Sequence, residues 1–443
     1  MASSEATEAA ETASSASSLA TRLNQRCFCV TIDREELARS LDDEVDEPGF
    51  FQRLVADRPH LFSNLPVFLG QAELDEMIAT IEAIEEVSRI SGYQELVLTW
   101  APDGSRFDPG PLGALMGYDF HLTADGPKLI EINTNAGGAF LNAHLARAQA
   151  ACCSGVRIDR RLIDEFDVNI VAMFRTEWRR QRGEAALTTI VIVDDAPMEQ
   201  YLYPEFVLAK ELLVRQGVEA HIADPSELEV REGALWLRET RADLVYNRPV
   251  DFALEAPRHS ALREAYAAGS VVVTPNPHHH AVLANKRNLS LLSDQDALRS
   301  LGVSDEVLGR LISIPRTRLV TSENADELWQ SRKSQFFKPV AGHGSKAVYR
   351  GDKLTKGVWA DIIKGGFVAQ TFVSPGERVI ELDGQRVSRK VDVRLYTYEA
   401  RPLLVAARVY QGQATNLRTP GGGFAPVLMV EAQLSPRGET RGQ

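Results

Sequence analysis

The alternation of apolar and polar positions over residues 116–133 predicts the element around which the chain is organised. Two short apolar runs flank the polar turn 124–126, a pattern that favours a β-hairpin. Glu131 and Asn133 lie two positions apart on the second strand, so their side chains share one face of the sheet. Asp119 lies on the first strand. The pattern therefore predicts three oxygen-bearing side chains that can converge on one point.

Carboxylate and amide oxygens are the ligands of hard cations such as Mg²⁺, which also keeps open positions for phosphate oxygens. The hairpin continues into a glycine-rich turn at 135–138 and a helical stretch at 140–152, and backbone N–H groups at such a helix start can meet an anion. An ordinary hairpin with solvated carboxylates is the alternative interpretation.

Apolar positions with helical spacing predict long helices at residues 71–90 and 164–182. The apolar run 95–100 is predicted to be a strand that leads toward the hairpin. From residue 187, apolar runs alternate with helical ones, which favours an α/β protein with a parallel sheet and crossover helices. Such sheets bind ligands beyond the carboxyl ends of their strands, and the candidate contacts there are Asp194, Asp195, Asn247 and Arg248.

Composition limits the classes of partner. The 443 residues are enough for two or three domains, with 44% hydrophobic and 25% charged residues, as is ordinary for a globular protein. A net charge of −12 argues against nucleic acid or an anionic membrane as the main partner, and no apolar run approaches the roughly 18 residues that a spanning helix needs. Residues 1–20 lack the features of a signal or transit peptide, so we expect a disordered tail and a cytoplasmic protein.

The cysteines and a run of histidines are residue types that often bind metals, but their spacing here favours other interpretations. The chain has four cysteines, which are Cys27, Cys29, Cys152 and Cys153. Their spacing is not that of a zinc site, and their low density argues against a disulfide framework, so thiols are favoured. The run 278–280 holds three adjacent histidines, which cannot all ligate one ion from a regular element, so a linker loop is favoured.

Two lysines are candidates for binding phosphate, because an ammonium group is a point charge suited to it. Lys286 opens a helical stretch, and Lys338 ends an apolar strand. The glycine-rich loop that follows contains Gly342, Gly344 and Ser345, and its backbone N–H groups can approach phosphate oxygens. It is not a P-loop, which needs G-x(4)-G-K-[ST] before a helix. For each lysine alone, a solvated surface position is the alternative.

The hairpin pattern D-x(11,12)-E-x-N, followed by a small-residue turn, resembles the metal-binding strand pair of the ATP-grasp ligases. Its E-I-N-T core at 131–134 is most similar to eukaryotic glutathione synthetase. In most of the family this hairpin comes last in the chain, whereas here it comes first, so the resemblance implies a circularly permuted order. It also implies that strands from residues 95–133 pair with strands from residues 391–430 in one sheet.

The other motifs of the family follow downstream. The pattern K-P-x-x-G-x-G-S-x-x-V that begins at Lys338 resembles the phosphate loop of the ATP-grasp lid, and Lys286 resembles the lysine that precedes the lid. Gln370 matches the start of the hinge strand that binds adenine, where the family often has an acid. Glu377 matches the acid that holds the ribose.

The last motif region holds two short basic patterns. Asp392 and Arg394 form D-x-R, and Asn416 and Arg418 form N-x-R before three glycines, the order found in the ribosomal-protein glutamate ligase. The resemblance implies that Arg418 faces the γ-phosphate and the acyl-phosphate, where a planar guanidinium matches the charge that is being spread.

The chain departs from eukaryotic glutathione synthetase at one metal ligand. Gly342 occupies the place of a metal-binding glutamate, and Asp119 is expected to take over. The implied Mg²⁺ ligands are then Asp119, Glu131 and Asn133, and the implied catalytic residues are Arg418 and Lys338. The implied ATP-binding residues are Lys286, Lys338, Gly342, Gly344, Ser345, Gln370, Glu377 and Asn416.

The resemblance implies a permuted ATP-grasp catalytic region beside a parallel-sheet substrate domain. The expected division is a tail at 1–20, helices with the metal-binding strands at 21–185, the substrate domain at 186–285, and the lid with the remaining core at 286–443. The implied activity is ATP- and Mg²⁺-dependent ligation of a small-molecule carboxylate to an amine through an acyl-phosphate, with a homodimer left open. A small-molecule kinase and a nucleotide-binding protein without turnover are the alternatives, because a fold does not fix a function.

Overall fold

The computed structural model describes residues 19–150, 156–340 and 347–430. Most of the predicted tail at 1–20 therefore lies outside the described residues. Cys152 and Cys153 also lie outside them, as do the loop residues Gly342, Gly344 and Ser345, whose roles stay predictions.

Eight strands form a large sheet that joins the early hairpin to the late part of the chain. Six of them lie side by side in the order Val67–Gly70, Gly423–Val430, Arg401–Tyr410, Gln385–Tyr398, Met116–Thr123 and Gly126–Asn133. Gly376–Leu382 pairs with Gln385–Tyr398, and Val156–Arg157 pairs with Gly423–Val430. Because Met116–Thr123 pairs antiparallel with Gln385–Tyr398, the predicted sharing of one sheet by the two distant regions is confirmed.

The predicted hairpin is confirmed, and its register matters for the site. Asp119 lies opposite Glu131, and Gly117 lies opposite Asn133. The register shifts between Asp119 and Phe120. A bulge of this kind bends a strand and redirects its side chains, so the polar residues of the two strands are brought to the same end of the hairpin.

Helices cover both faces of the large sheet. Under Gln71–Ser88, the side chains of Met77, Ile81 and Ile84 are fully buried at helical spacing. The other face is covered by Arg34–Val45, Phe50–Asp57, Ala139–Arg147, Phe166–Arg182 and Tyr203–Arg215. None of the helices in the described ranges has both the length and the apolar composition needed to cross a bilayer.

The predicted strand at 95–100 is wrong, because these residues belong to the helix Ser91–Leu98 and the turn after it. Tyr93 and Val97 are the buried residues of that helix, four positions apart. This spacing places both side chains on one side of a helix, toward the core. A short apolar run is compatible with both a strand and a buried helix, so the sequence of this run alone could not distinguish the two.

Four parallel strands form a second sheet, in the order Val272–Thr274, Leu244–Asn247, Thr189–Val193 and Glu219–Ala223. Every residue of Thr189–Val193 is buried, as expected for a strand covered on both faces. The helices Tyr203–Arg215 and Ser260–Ala267 connect its strands, and a small antiparallel sheet of Leu228–Arg231, Ala234–Leu237 and Thr240–Arg241 lies between them in the chain. The domain limits stay predictions.

A third sheet, here called the lid sheet, contains Thr317–Leu319, Phe367–Thr371, Gln335–Pro339 and Tyr349–Arg350 in that order, with antiparallel pairing throughout. Phe337 and Trp359 pack edge to face in its small core. Its helices are Ala325–Ser331 and Lys356–Ile362. The short helices before it are Pro277–His279, His280–Ala284, Asn288–Leu292, Gln295–Ser300 and Asp305–Arg310.

Candidate functional site

A cavity of about 1240 Å³ lies where the three main sheets approach one another. The lid sheet contributes Lys338 and Gln370, the large sheet contributes Glu131 and Arg394, and a loop of the parallel sheet contributes Phe252. Small-molecule pockets usually measure about 300–1000 Å³. The cavity therefore has room for more than one ligand.

Lys338 is buried near the end of the lid strand Gln335–Pro339. Its Nζ donates to the backbone oxygen of Ile130 on the hairpin, 2.9 Å away, and to Oε1 of Gln370, 2.8 Å away. Burial lowers the pKa of Lys338 to about 8, although the nearby carboxylate of Glu131 favours the charged form. At neutral pH the side chain is mostly a cation that ties the lid to the hairpin.

Gln370 lies on the lid strand next to that of Lys338 and is only 2% exposed. Its Oε1 accepts the hydrogen bond from Lys338, whereas its Nε2 is buried and has no hydrogen-bond partner within the described residues. An unsatisfied buried donor costs about 1–3 kcal/mol.

Glu131 and Lys286 form an ion pair at the cavity, with Oε1 and Nζ 2.9 Å apart. The side chain of Glu131 is 34% exposed, so it remains accessible to a ligand. Burial would raise the pKa of Glu131, but Lys286 and Lys338 outweigh this effect and hold the pKa below its usual value. The site thus combines an ionised carboxylate with two cationic side chains.

Asp119 is buried against two arginines of the large sheet. Its Oδ1 lies 2.6 Å from Nε of Arg394, and its Oδ2 lies 2.8 Å from a terminal nitrogen of Arg394 and 2.8 Å from one of Arg408. Nδ2 of Asn133 also donates to Oδ2, at 3.1 Å. Burial would raise the pKa of Asp119, but the two guanidinium groups hold the pKa far below its usual value.

The predicted Mg²⁺ ligands fit an ion only in part. Both oxygens of Asp119 are bonded to cations, and two guanidinium groups beside them would repel a metal ion. Within the described residues, no group of three His, Cys, Asp or Glu side chains is placed to hold a metal. Glu131 and Asn133 do fit, because Mg²⁺ is often held by one or two protein ligands plus substrate phosphates. Since Nδ2 of Asn133 faces Asp119, Oδ1 is the atom left for the ion.

Sequence reasoning assigned no role to Arg394 within its D-x-R pattern, and it missed Arg408 entirely. Nε of Arg408 lies 2.7 Å from Oδ1 of Asp392, whose Oδ2 accepts from the hydroxyl of Thr415 at 2.5 Å. Arg408 lies inside the apolar strand Arg401–Tyr410. That position is a usable sequence signal, because arginine is rarely buried without a charged partner.

The glycine-rich turn after the hairpin holds a carboxylate of the protein itself. Glu205 accepts hydrogen bonds from the backbone N–H groups of Gly138, at 2.6 Å, and Phe140, at 3.3 Å. These groups start the helix Ala139–Arg147. Burial raises the pKa of Glu205, and the charge of Arg248 opposes the shift. The anion expected at this helix start is therefore internal, and these N–H groups are not available to a ligand.

Three predicted site residues take other positions. Asn416 lines the cavity, but its Nδ2 donates to the backbone of its own loop at 2.8 Å. Arg418 is exposed, with its guanidinium carbon 5.8 Å from the ring centre of Tyr201. Glu377 is exposed on Gly376–Leu382. Neither Arg418 nor Glu377 lines the cavity, and their predicted roles stay predictions.

The parallel sheet reaches the cavity through a loop rather than through the side chains expected from the sequence. Phe252 of this loop stacks on His280, with ring centres 3.8 Å apart and planes 9° apart. Nδ1 of His280 lies 2.8 Å from the hydroxyl of Thr134 on the hairpin. The predicted linker loop at 278–280 is wrong, because these residues lie in the helical segments Pro277–His279 and His280–Ala284. None of the four contacts that the sequence predicted for this sheet lines the cavity, and they are Asp194, Asp195, Asn247 and Arg248.

No known family model matches the sequence, and no curated protein matches it significantly. Among solved structures, the glutathione synthetase-like effector of Globodera pallida in its apo form is similar with a TM-score of 0.54 and 9% identity, over 90% of this chain and 98% of the effector. A protein of Methylobacillus flagellatus KT described as a gamma-glutamylcysteine synthetase has a TM-score of 0.45 and 11% identity, over 79% and 86% of the two chains. The ATP-grasp ligase PsnB, complexed with a phosphomimetic variant of a minimal precursor, Mg and ADP, has a TM-score of 0.30 and 15% identity, over 57% and 93%.

The likeness to the Globodera pallida effector covers nearly the whole of both chains and defines the fold. The protein has a glutathione synthetase-like fold. The resemblance stated from the motifs is therefore confirmed at the level of the fold.

Proposed function

We propose that the protein is a ligase that uses ATP and Mg²⁺ to join a carboxylate to an amine, with release of ADP and phosphate. The observation that carries the proposal is the convergence of Lys286, Lys338 and Glu131 with Arg394 and Arg408 at one cavity. The cavity volume suits a nucleotide together with substrates. Arg394 and Arg408 are called the arginine pair below.

In this proposal the nucleotide lies between the lid sheet and the hairpin. Lys286 and Lys338 bind its phosphates, because both ammonium groups lie where the two elements meet. Gln370 lies at the end that receives the base. Further basic side chains line the same cavity, and their positive charge suits a polyanion. These side chains are Arg350, Lys353 and Lys390.

Glu131 and Asn133 would hold a Mg²⁺ ion together with phosphate oxygens. When bound, such an ion neutralises the charge that develops on the phosphates. Asp119 has a positioning role instead. It holds the arginine pair through three short contacts and orients the amide of Asn133.

The chemistry proceeds in two steps. A carboxylate oxygen of the acid attacks the γ-phosphorus, the bond to ADP breaks, and an acyl-phosphate forms. The amine nitrogen then attacks the acyl carbon, phosphate leaves with the bonding pair, and the nitrogen loses a proton. The arginine pair stabilises the charge on the transferred group, because buried carboxylates fix both guanidinium groups before substrate arrives. Positioning and electrostatics carry the rate, and no side-chain nucleophile is needed.

The lid sheet contributes by closing the cavity over the nucleotide. Water that reached an acyl-phosphate would hydrolyse it, so exclusion of water protects the intermediate.

The proposal also includes the permuted order of motifs, with residues 186–285 as the substrate domain. Small-molecule carboxylates and amines are the partners.

The testing experiment is a screen of carboxylate and amine pairs for ADP release, with mass spectrometry of the products. An amide product with stoichiometric ADP supports the ligase. A phosphorylated alcohol would identify a small-molecule kinase instead. Nucleotide binding with no ADP release for any pair would contradict catalysis and identify a binding protein.

A further inference from the structure

The side of the cavity that the parallel-sheet region forms is apolar. Four apolar side chains of this region line the cavity and are here called the apolar wall, and they are Leu202, Val250, Phe252 and Ala253. Val250 is 43% exposed although it is a large hydrophobic residue. Among the described residues, every lysine and arginine that lines the cavity comes from outside residues 189–274. Apolar surface of this kind is released from water when an apolar group binds against it.

A buried histidine holds the loop of the apolar wall. His259 is fully buried, with Nδ1 2.7 Å from Oδ2 of Asp251 and Nε2 2.8 Å from Oδ1 of Asp195. The same oxygen of Asp251 accepts the backbone N–H of Ala256 at 2.7 Å. Because Asp251 lies within the loop that carries the apolar wall, these contacts fix the loop before a substrate arrives. A preformed wall reduces the ordering cost of binding.

Two sets of contacts join the apolar wall to the proposed reacting centre. Phe252 stacks on His280, and His280 contacts the hairpin that carries the metal-binding residues. Leu202 lies against Gly137, since a Cβ added to Gly137 would lie 2.5 Å from Cδ1 of Leu202. The backbone oxygen of Gly137 in turn accepts from Arg394 at 3.4 Å. The apolar wall is therefore next to the place where the arginine pair would meet the reacting carboxylate.

Two carboxylates of the same loop limit what the apolar wall accepts. Asp251 and Glu255 also line the cavity. An anionic group here would meet like charges and lose its water shell. A cationic group would gain little, because Oδ2 of Asp251 already has two partners and Glu255 is exposed, where solvent screens an ion pair. The chemistry of this side of the cavity thus favours an uncharged, apolar group.

We propose that the apolar wall binds the side chain of the carboxylate substrate, so that the acid carries an apolar group beyond its reacting carboxylate. The inference rests on the proposed ligase activity. It adds the chemical class of the acid to that proposal.

The test uses hydroxylamine in place of the amine. Transfer of the γ-phosphoryl group to an acid releases ADP and forms the acyl-phosphate. The nitrogen of hydroxylamine then attacks the acyl carbon, phosphate leaves, the nitrogen loses a proton, and a hydroxamate forms. The acids compared are acetate, hexanoate, adipate and 5-aminopentanoate. In the last two, a carboxylate or an ammonium group replaces the terminal methyl group of hexanoate.

The wild-type protein should use hexanoate with a kcat/KM at least about tenfold above that for acetate, because each buried methylene group contributes about fourfold. The kcat/KM for hexanoate should also exceed the values for adipate and 5-aminopentanoate at least about tenfold, because a charge against the apolar wall lacks a buried partner. Phe252→Ala should lower the value for hexanoate at least about fivefold more than the value for acetate.

Val250→Lys should change the preference in a specific direction. Its ammonium group can pair with the distal carboxylate of adipate, so the ratio of kcat/KM for adipate to that for hexanoate should rise at least about tenfold. The matched control is Val168→Lys, the same substitution at a valine that is 66% exposed on the helix Phe166–Arg182 and away from the cavity lining. It should leave the ratio unchanged, which separates a local effect from a change in net charge. Thermal melting of all three variants checks the fold.

A wild-type preference for adipate or 5-aminopentanoate over hexanoate would overturn the inference and leave the ligase proposal intact, because a hydroxamate would still form. Equal changes of the ratio in Val250→Lys and Val168→Lys would do the same. Absence of a hydroxamate with all four acids would also overturn the inference, and the screen of carboxylate and amine pairs would then decide the ligase proposal separately.

Discussion

Asp119 and Arg394 are direct partners across two neighbouring antiparallel strands, although they lie 275 positions apart in the chain. Two hydrogen bonds, of 2.6 and 2.8 Å, join the carboxylate to the planar guanidinium. Bidentate pairs of this kind fix orientation as well as distance. Because Arg408 shares the same carboxylate, one acidic side chain organises both cations of the arginine pair.

Asp119→Asn should therefore destabilise the protein by about 3 kcal/mol or more, because the buried guanidinium of Arg394 loses its counter-charge. The partly buried Arg408 loses one of its two carboxylate partners and keeps Asp392. Denaturant unfolding measures the change. Asp125→Asn removes the same charge from the exposed hairpin turn, and it should change the free energy of unfolding by less than about 0.5 kcal/mol. Equal effects of the two substitutions would show that Asp119 has no special structural role.

Glu131→Gln should abolish turnover while the fold stays intact. The ion pair with Lys286 is partly exposed, so its loss should cost no more than about 1 kcal/mol. Turnover should fall by about a hundredfold or more, as when one electrostatic contact to a transition state is removed. ADP release measures the rate, and nucleotide affinity with and without Mg²⁺ separates metal binding from catalysis.

The control for this variant is Glu381→Gln, at an exposed position of Gly376–Leu382. It should leave both ADP release and the Mg²⁺ dependence unchanged. Turnover near the wild-type rate in Glu131→Gln, at saturating Mg²⁺, would rule out a metal at this position.

Gly138→Ala should destabilise the protein by at least about 2 kcal/mol. Gly138 has a φ of +98°, and an added Cβ would lie 2.3 Å from Cζ of Phe424. The left-handed backbone and the buried ring both oppose a side chain there. Thermal or denaturant unfolding gives the change. Gly104→Ala is the control, because nothing lies within 4 Å of its added Cβ, and a loss of similar size there would contradict the explanation.

Asp194 should make stability depend on pH. Burial raises its pKa to about 6, and Arg248 only partly opposes the shift. Because the folded-state pKa lies above the unfolded value of about 4, the side chain's contribution to stability is full below pH 4 and is lost as the pH rises through about 6. Asp194→Asn replaces the carboxyl group with an amide that does not ionise, so the variant does not lose this stability as the pH rises. The free energy of unfolding of the variant, relative to that of wild type, should increase by about 1–3 kcal/mol between pH 4 and pH 7.

Denaturant midpoints over this pH range measure the gain. Asp125→Asn, at the exposed hairpin turn, again serves as the control. A flat difference for Asp194→Asn would mean that this carboxyl group titrates normally in the folded protein.

Local patterns predicted the parts of the site that depend on nearby residues. The hairpin with Glu131 and Asn133, and the positions of Lys286 and Lys338 beside it, required only strand alternation and the motifs around each lysine. These four side chains do line one cavity. Their recognition was possible because each is a polar or charged residue within or directly beside an apolar pattern.

The role of Asp119 could not be predicted in the same way. The two strands that carry its arginine partners begin 266 and 282 positions after Asp119, and nothing near Asp119 in the sequence specifies that pairing. The binding of Glu205 to the helix start at Gly138 could not be predicted for the same reason. Glu205 belongs to a helix of the region after residue 186, far from Gly138 in the sequence. Charge pairing between distant segments decides which carboxylates remain available to ligands.

The shared sheet also has a consequence for synthesis of the protein on the ribosome. The edge of Met116–Thr123 that finally pairs with Gln385–Tyr398 has no partner until more than 250 further residues are made. At about 5–20 residues per second, this delay lasts roughly 10–50 s. An unpaired strand edge attracts other chains. Nascent chains stalled before residue 385 should therefore depend on chaperones, whereas complete chains should not.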